Sequence, residues 1–331
     1  MFFGGARVEE RVCGSSLDSS AGRERLDDLS GRLAGALSAW GNDDRSVRVQ
    51  SMRFDFIGLE ASQAAKIDQR FGSFIVLMPG GAADFSCQCW HGEPEVLSIE
   101  QTTNPKNEYQ PWIEYRADGL VVSGYNFTSS FDFAAGGALS QLCTSAPEPL
   151  AGADVFDNYL RLAAAYAALA RGGLLLHSAG VVIAGRAWLA LGRSNAGKST
   201  FARAALAAGL PILSDDINIL LPAAGGGFAA GPVPLTGDLR DQGPQDPHAS
   251  YPVGGLLWLH QGEAPAVAPT SAGERVARVL ACAPFLNVDP YRLEAVLGVI
   301  DDLLAYVPIR VLSFRRDQGF EVLIPLLQEI V

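Results

Sequence analysis

Eight consecutive residues, Gly192-Arg193-Ser194-Asn195-Ala196-Gly197-Lys198-Ser199, spell a complete G-x-x-x-x-G-K-[ST] loop with Thr200 next, and Asp215-Asp216 follow its lysine by seventeen and eighteen residues. Glycines in such a loop let backbone N–H groups turn inward around phosphate oxygens, and the helix that follows adds the positive end of its dipole. Lys198 is then expected to contact the β- and γ-phosphates of a nucleotide, and the Ser199 hydroxyl to ligate the Mg²⁺ that bridges them. Thr200 belongs to the helix. The carboxylates complete a set for phosphoryl transfer: one serves Mg²⁺, directly or through water, and the other reaches an acceptor hydroxyl as general base.

These residues need a strand before the loop and a helix after it. Ala187-Trp188-Leu189-Ala190-Leu191 is a short apolar run of strand type, and residues 201–210 are rich in Ala and Leu with Gly209 near their end. Leu210-Pro211-Ile212-Leu213-Ser214 reads as a buried strand that delivers the aspartates at its C-terminal end, the edge where α/β sheets bind ligands. Neighbours on a strand face opposite ways, so Asp215 and Asp216 are expected to do different work. Eighteen residues from Lys198 to Asp216 leave room for one helix and one strand only. Neither a Leu-Ser-Gly-Gly-Gln segment nor an Asn-Lys-x-Asp guanine reader is present. Upstream, the apolar run 174–183 is joined through Ala184-Gly185-Arg186 to the strand that enters the loop, so a β-hairpin feeds it where an ordinary βαβ fold would place a helix.

The run Leu175-Leu176-His177-Ser178-Ala179-Gly180-Val181-Val182, the loop and Ser214-Asp215-Asp216 together resemble the catalytic domain of HPr kinase/phosphorylase, a family that shares its fold with ATP-dependent phosphoenolpyruvate carboxykinase. The resemblance is concentrated between residues 172 and 221. It implies an α/β (α+β) catalytic domain, ATP and Mg²⁺ as cofactors, phosphate and metal contacts from Lys198 and Ser199, proton acceptance by Asp216, and His177 in the active site; Asp215 is then the carboxylate left to serve the metal. His177 precedes Lys198 by 21 residues, as the family pattern requires. Taken without the resemblance, His177 ends an apolar strand and reads as a core histidine. The family's Glu-Val-Arg-Gly segment, whose glutamate helps hold Mg²⁺, is missing. Gly225-Gly226-Gly227-Phe228 and residues 231–240 stand in its place, so HPr recognition and the reverse phosphorylase reaction are not carried over. Arg240 reads as a solvated loop arginine.

At 331 residues the chain suits two domains, and 48% hydrophobic with 18% charged residues is globular composition. A net charge of −11 argues against nucleic acid or an anionic membrane as partner. Five cysteines without C-x-x-C spacing, no charged-then-apolar leader and no apolar run of membrane length give a reducing cytoplasm as the default. Cys87 and Cys89 read as buried small residues, with no second pair to finish a metal site beside His91. Residues 1–22 read as a flexible lead and 23–146 as a β-rich domain opened by an amphipathic helix with apolar positions at Leu26, Leu29, Leu33, Leu37 and Trp40. Its strands, among them 52–58, 74–78, 85–90, 112–115 and 120–123, are expected to pair antiparallel. A linker at Pro147-Glu148-Pro149 leads to a catalytic domain over 152–331, opened by a helix over 155–171. Within it 242–252 reads as a mobile loop with a solvated His248, 255–260 and 309–314 as strands, 274–280 and 293–305 as helices, and 322–331 as a packed helix or a homo-oligomer contact. The partners expected are a nucleotide and a protein or peptide with an acceptor hydroxyl. A small-molecule hydroxyl, and a nucleotide-binding regulator with little catalysis, are the alternatives.

Overall fold

The computed structural model describes residues 38–39, 41–77, 80–91, 112–124, 127–133, 138–144, 152–193, 195–235, 237, 239, 246–315 and 319–330. The expected lead, the amphipathic helix up to Leu37 with its Trp40, the Pro147-Glu148-Pro149 linker, Ser194 and Arg240 lie outside them, and Ser38–Ala39, within the span expected for that helix, form a strand. Strands β1 (Ser38–Ala39), β2 (Asp43–Val49) and β3 (Met52–Leu59), helix α1 (Ala61–Phe71), then β4 (Ile75–Val76), β5 (Phe85–His91), β6 (Trp112–Tyr115), β7 (Gly119–Gly124), β8 (Phe127–Asp132) and β9 (Ala138–Thr144) make the first sheet. Its order is β4-β2-β3-β5-β9-β8-β7-β6, with β1 against β5.

This sheet is mixed, a departure from the antiparallel pairing expected. β3 and β5 run parallel, as do β5 and β9. A parallel neighbour needs a crossover, and α1 supplies it between β3 and β5. That helix buries Ala64, Ile67 and Phe71, an apolar stripe at helical spacing. The expected strand 74–78 begins late, because Gly72–Phe74 form a 3₁₀ turn; Ile75–Val76 pair with β2, and Met78 lies outside the described residues. Cys87 and Cys89 are buried in β5, as read from sequence.

Helix α2 (Gly152–Ala170) joins the two halves of the core. Its buried Ala163, Ala164, Ala165, Ala167 and Ala168 let it approach closely, while Phe156 meets the Phe56 ring edge-on at 5.4 Å and Tyr159 stacks on Phe131 at 5.3 Å. Such aromatic pairs add about 0.5–1.5 kcal/mol beyond the area they bury. Arg70 Nε donates to Asp157 Oδ2 at 2.8 Å, tying α1 to α2.

Beyond α2 come β10 (Leu174–Ile183), β11 (Arg186–Leu191), α3 (Lys198–Ala207), β12 (Ile212–Ser214), β13 (Ile217–Pro222), β14 (Phe228–Ala230), β15 (Tyr251–Gln261), β16 (Ala266–Ala268), α4 (Ala272–Ala281), α5 (Leu293–Tyr306), β17 (Ile309–Phe314) and α6 (Leu323–Gln328). β10 and β11 form the expected hairpin, closed at Ile183 against Arg186. The strands follow one another β11-β10-β13-β14-β15, and β15 returns to pair in parallel with β11, closing a small five-stranded barrel. β17 and β16 extend the sheet from β15. The architecture is mixed α/β. Among the described residues no helix is long and apolar enough to cross a membrane.

Under the loop helix lies a second apolar cluster, in which Phe201 on α3 is fully buried between Phe314 (ring centroids 6.2 Å apart) and Phe320 (5.0 Å). Deleting such a ring costs about 3–5 kcal/mol, so the start of α3 rests on a rigid floor.

Candidate functional site

The phosphate loop leaves β11 at Leu191 and enters α3 at Lys198, which puts Ser199 and Thr200 in the first turn of the helix. Gly197 is the residue before the helix and sits at φ 104°, ψ 16°, a left-handed conformation that a side chain would strain. Gly192 is needed for space: a Cβ there would come 2.6 Å from the Ala196 Cβ. Asn195 also takes positive φ, 62°, which Asn tolerates better than most residues. The loop is thereby curled under the N-terminus of a ten-residue helix whose first N–H groups have no partner within the helix.

Lys198 is buried, and its Nζ donates to the Gly192 carbonyl at 3.0 Å and the Arg193 carbonyl at 3.2 Å. Burial lowers the ammonium pKa, against the pull of the Cys282 thiol and the Asp216 carboxylate. Cys282, just past α4, is itself buried, which raises its thiol, while the Gly192 backbone and Lys198 act in the other direction.

Asp215 and Asp216 occupy the turn between β12 and β13 and are not part of either strand. β12 and β13 lie in succession along one edge of β10, at Gly180–Val181 and at Leu174–His177, so the turn faces the gap between them. The Ser178 N–H donates to the Asp216 carbonyl at 2.9 Å, and Ser214 Oγ accepts from the N–H groups of Asp216 and Ile217, both at 3.2 Å. Both carboxylates leave from the turn, so strand alternation does not set their directions. Asp215 is buried and its Oδ1 accepts from the Gly237 N–H at 2.8 Å. Asp216 Oδ1 lies 3.0 Å from His177 Nδ1, and its Oδ2 lies 2.7 Å from a guanidinium nitrogen of Arg161 on α2. Burial alone would raise the Asp216 carboxyl, but the His177 hydrogen bond and the Arg161 charge outweigh it and hold the pKa down at about 2.

One cavity of about 860 Å³ gathers these groups. Residues 195–200 form one wall, His177, Asp215 and Asp216 a second, and Gln261, Phe314 and Arg315 a third. The structure therefore brings together Lys198, Ser199, Thr200, Asn195, Ala196, Gly197, Asp215, Asp216 and His177. Gly192 lies buried behind the loop, and Arg193 is exposed and contributes its carbonyl to Lys198.

A helix N-terminus, a buried cation and two fixed carboxylates in one cavity fit a nucleoside triphosphate with its metal. Ser199 and Asp215 are the residues on hand for Mg²⁺. Among the described residues no group of three or more His, Cys, Asp or Glu stands ready to hold a metal. Mg²⁺ needs fewer protein ligands when phosphates and water supply the rest.

Sequence reasoning missed Arg161, Cys282 and the third wall. Arg161 did leave a signal: it is the one charged residue between Asp157 and Arg171, in an Ala/Leu-rich helix. His248 is half-buried, with Arg48 of β2 beside it and its N–H on Asp246, and it is not among the residues that line this cavity.

The sequence model of one family, described as SynChlorMet cassette protein ScmC, matches residues 158–291. No curated protein shows significant similarity to the chain. The matched segment begins in α2, before Arg161, and ends after Cys282, so it takes in the phosphate loop, the aspartate turn and His177. Over those residues this chain is similar to ScmC.

Proposed function

We propose that the chain is an HPr-kinase-like, Mg²⁺-dependent phosphotransferase that moves the γ-phosphoryl of ATP to a hydroxyl, a serine of a protein or peptide, in the cytoplasm. The observation that carries this reading is the single cavity into which the loop helix, Lys198, Ser199, the aspartate turn and His177 all open.

Catalysis of this kind is positioning plus charge neutralisation. The N–H groups at the start of α3 and the Lys198 ammonium hold the triphosphate, and Ser199 and Asp215 hold its Mg²⁺, which neutralises charge on the phosphates when bound. The acceptor hydroxyl approaches on the side of Asp216 and His177.

The test is transfer of label from γ-labelled ATP into a lysate of the source cell and into serine peptides, followed by mass spectrometry. Label on serine is expected, and Lys198→Ala should abolish it while the chain stays folded. Undiminished label with Lys198→Ala contradicts the reading. Labelling of a free hydroxy amino acid without any protein present supports the small-molecule alternative. Nucleotide binding with negligible turnover on every acceptor supports a regulator, a reading that the missing glutamate segment favours.

A further inference from the structure

We infer that His177 takes the proton of the acceptor hydroxyl, and that Asp216, held by Arg161, orients the His177 ring. This rests on the phosphotransferase reading above and reverses the roles expected from sequence.

The geometry carries the argument. Both Asp216 oxygens are engaged, Oδ1 by His177 Nδ1 at 3.0 Å and Oδ2 by Arg161 at 2.7 Å. A carboxylate whose two oxygens are both held, one by an imidazole N–H and one by a guanidinium, is placed to orient those partners. His177 is placed differently. Its side chain is 44% exposed and lines the cavity with the phosphate loop. A carboxylate can only accept, so the proton between the two groups sits on Nδ1, and in the neutral ring Nε2 then carries the lone pair. Among the described residues Nε2 has no hydrogen-bond partner. An imidazole can take a proton on one ring nitrogen while a carboxylate holds the other.

The β10 backbone holds the ring in place: the His177 N–H donates to the Cys282 carbonyl at 2.7 Å, and the next residue is bonded to the aspartate turn. Among the described residues the Arg161 guanidinium pairs with Asp216, so it is a positioning residue. In the step itself the acceptor O–H bond breaks and its proton goes to Nε2. The acceptor oxygen forms a bond to the γ-phosphorus, and the bond from that phosphorus to the β,γ-bridging oxygen breaks, its electron pair leaving with the nucleoside diphosphate.

The experiment combines ¹⁵N NMR of the histidine-labelled full chain with transfer kinetics. His177 resonances are assigned by difference against His177→Gln. The Nδ1–H tautomer is expected, and Asp216→Asn should abolish that preference. The His177→Gln variant should lose about 100-fold or more in turnover while MgATP affinity stays within about threefold, and free imidazole should restore part of the turnover of His177→Ala. An Nε2–H tautomer overturns the proposal, and so does His177→Gln turnover near the wild-type rate. A wild-type chain that binds no MgATP overturns the phosphotransferase reading and this role together; one that binds and transfers but ignores His177→Gln overturns this role alone.

Discussion

Replacing Arg161 by glutamine removes one charge from the Asp216 carboxylate and leaves most of the side-chain volume on α2. The Asp216 carboxyl sits at about 2 against an ordinary 3.8. A depressed carboxyl contributes stability that is fully present above its unfolded value and is lost as pH falls through the folded value. The drop of nearly two units corresponds to about 2 kcal/mol at neutral pH. His177 and Arg161 share that stabilisation, and both members of the ion pair are only about a quarter exposed (26% and 23%). Arg161→Gln should therefore lower stability at pH 7 by about 1 kcal/mol, with the Asp216 carboxyl rising toward 3.8. Urea unfolding of both proteins from pH 7 down to pH ~2, with carboxyl ¹³C titration of Asp216, reads both quantities. The stability gap should close as pH falls from 3.8 through about 2, where both proteins protonate this group. A gap that persists unchanged at low pH would mean that Arg161 matters through packing. Equal stability at pH 7 would refute the charge argument outright.

Gly197→Ala forces a side chain onto φ 104° and should cost about 1–2 kcal/mol in a thermal or urea melt, with MgATP affinity falling at least tenfold by calorimetry. Unchanged affinity would separate the loop's conformation from binding. Arg70→Met removes the guanidinium that meets the Asp157 carboxylate between α1 and α2, where both groups are largely buried, and should cost about 1.5–3 kcal/mol in urea unfolding. A loss under about 1 kcal/mol would show that this buried pair does not hold the two halves of the core together.

Much of the site was legible because its parts are local. The loop motif, the strand before it and the helix after it are neighbours in sequence, and the short stretch to Asp215-Asp216 admits few topologies. The hairpin β10–β11 was legible from two apolar runs and a Gly-containing link. The Arg161–Asp216 contact spans 55 residues and depends on which side of α2 faces β10, which no local spacing encodes. The approach of Cys282 to Lys198 is equally non-local. In the first sheet, alternation of apolar residues looks the same in parallel and antiparallel strands, so the β3–β5 and β5–β9 pairings were hidden. Helix α1, which makes the first of them topologically necessary, did carry its signal in Ala64, Ile67 and Phe71. Asp216 was read as a proton acceptor from its place after the loop and from the family resemblance, and its contacts with His177 and Arg161 were not legible there.

The central claim is that this cavity grips a nucleoside triphosphate with its metal. Calorimetric titration of MgATP into the full chain and into Lys198→Ala tests it most directly. One saturable site is expected in the wild type, with affinity at least tenfold weaker in the variant, about 1.4 kcal/mol or more. Absence of binding heat in the wild type, or equal affinity in both proteins, would contradict it.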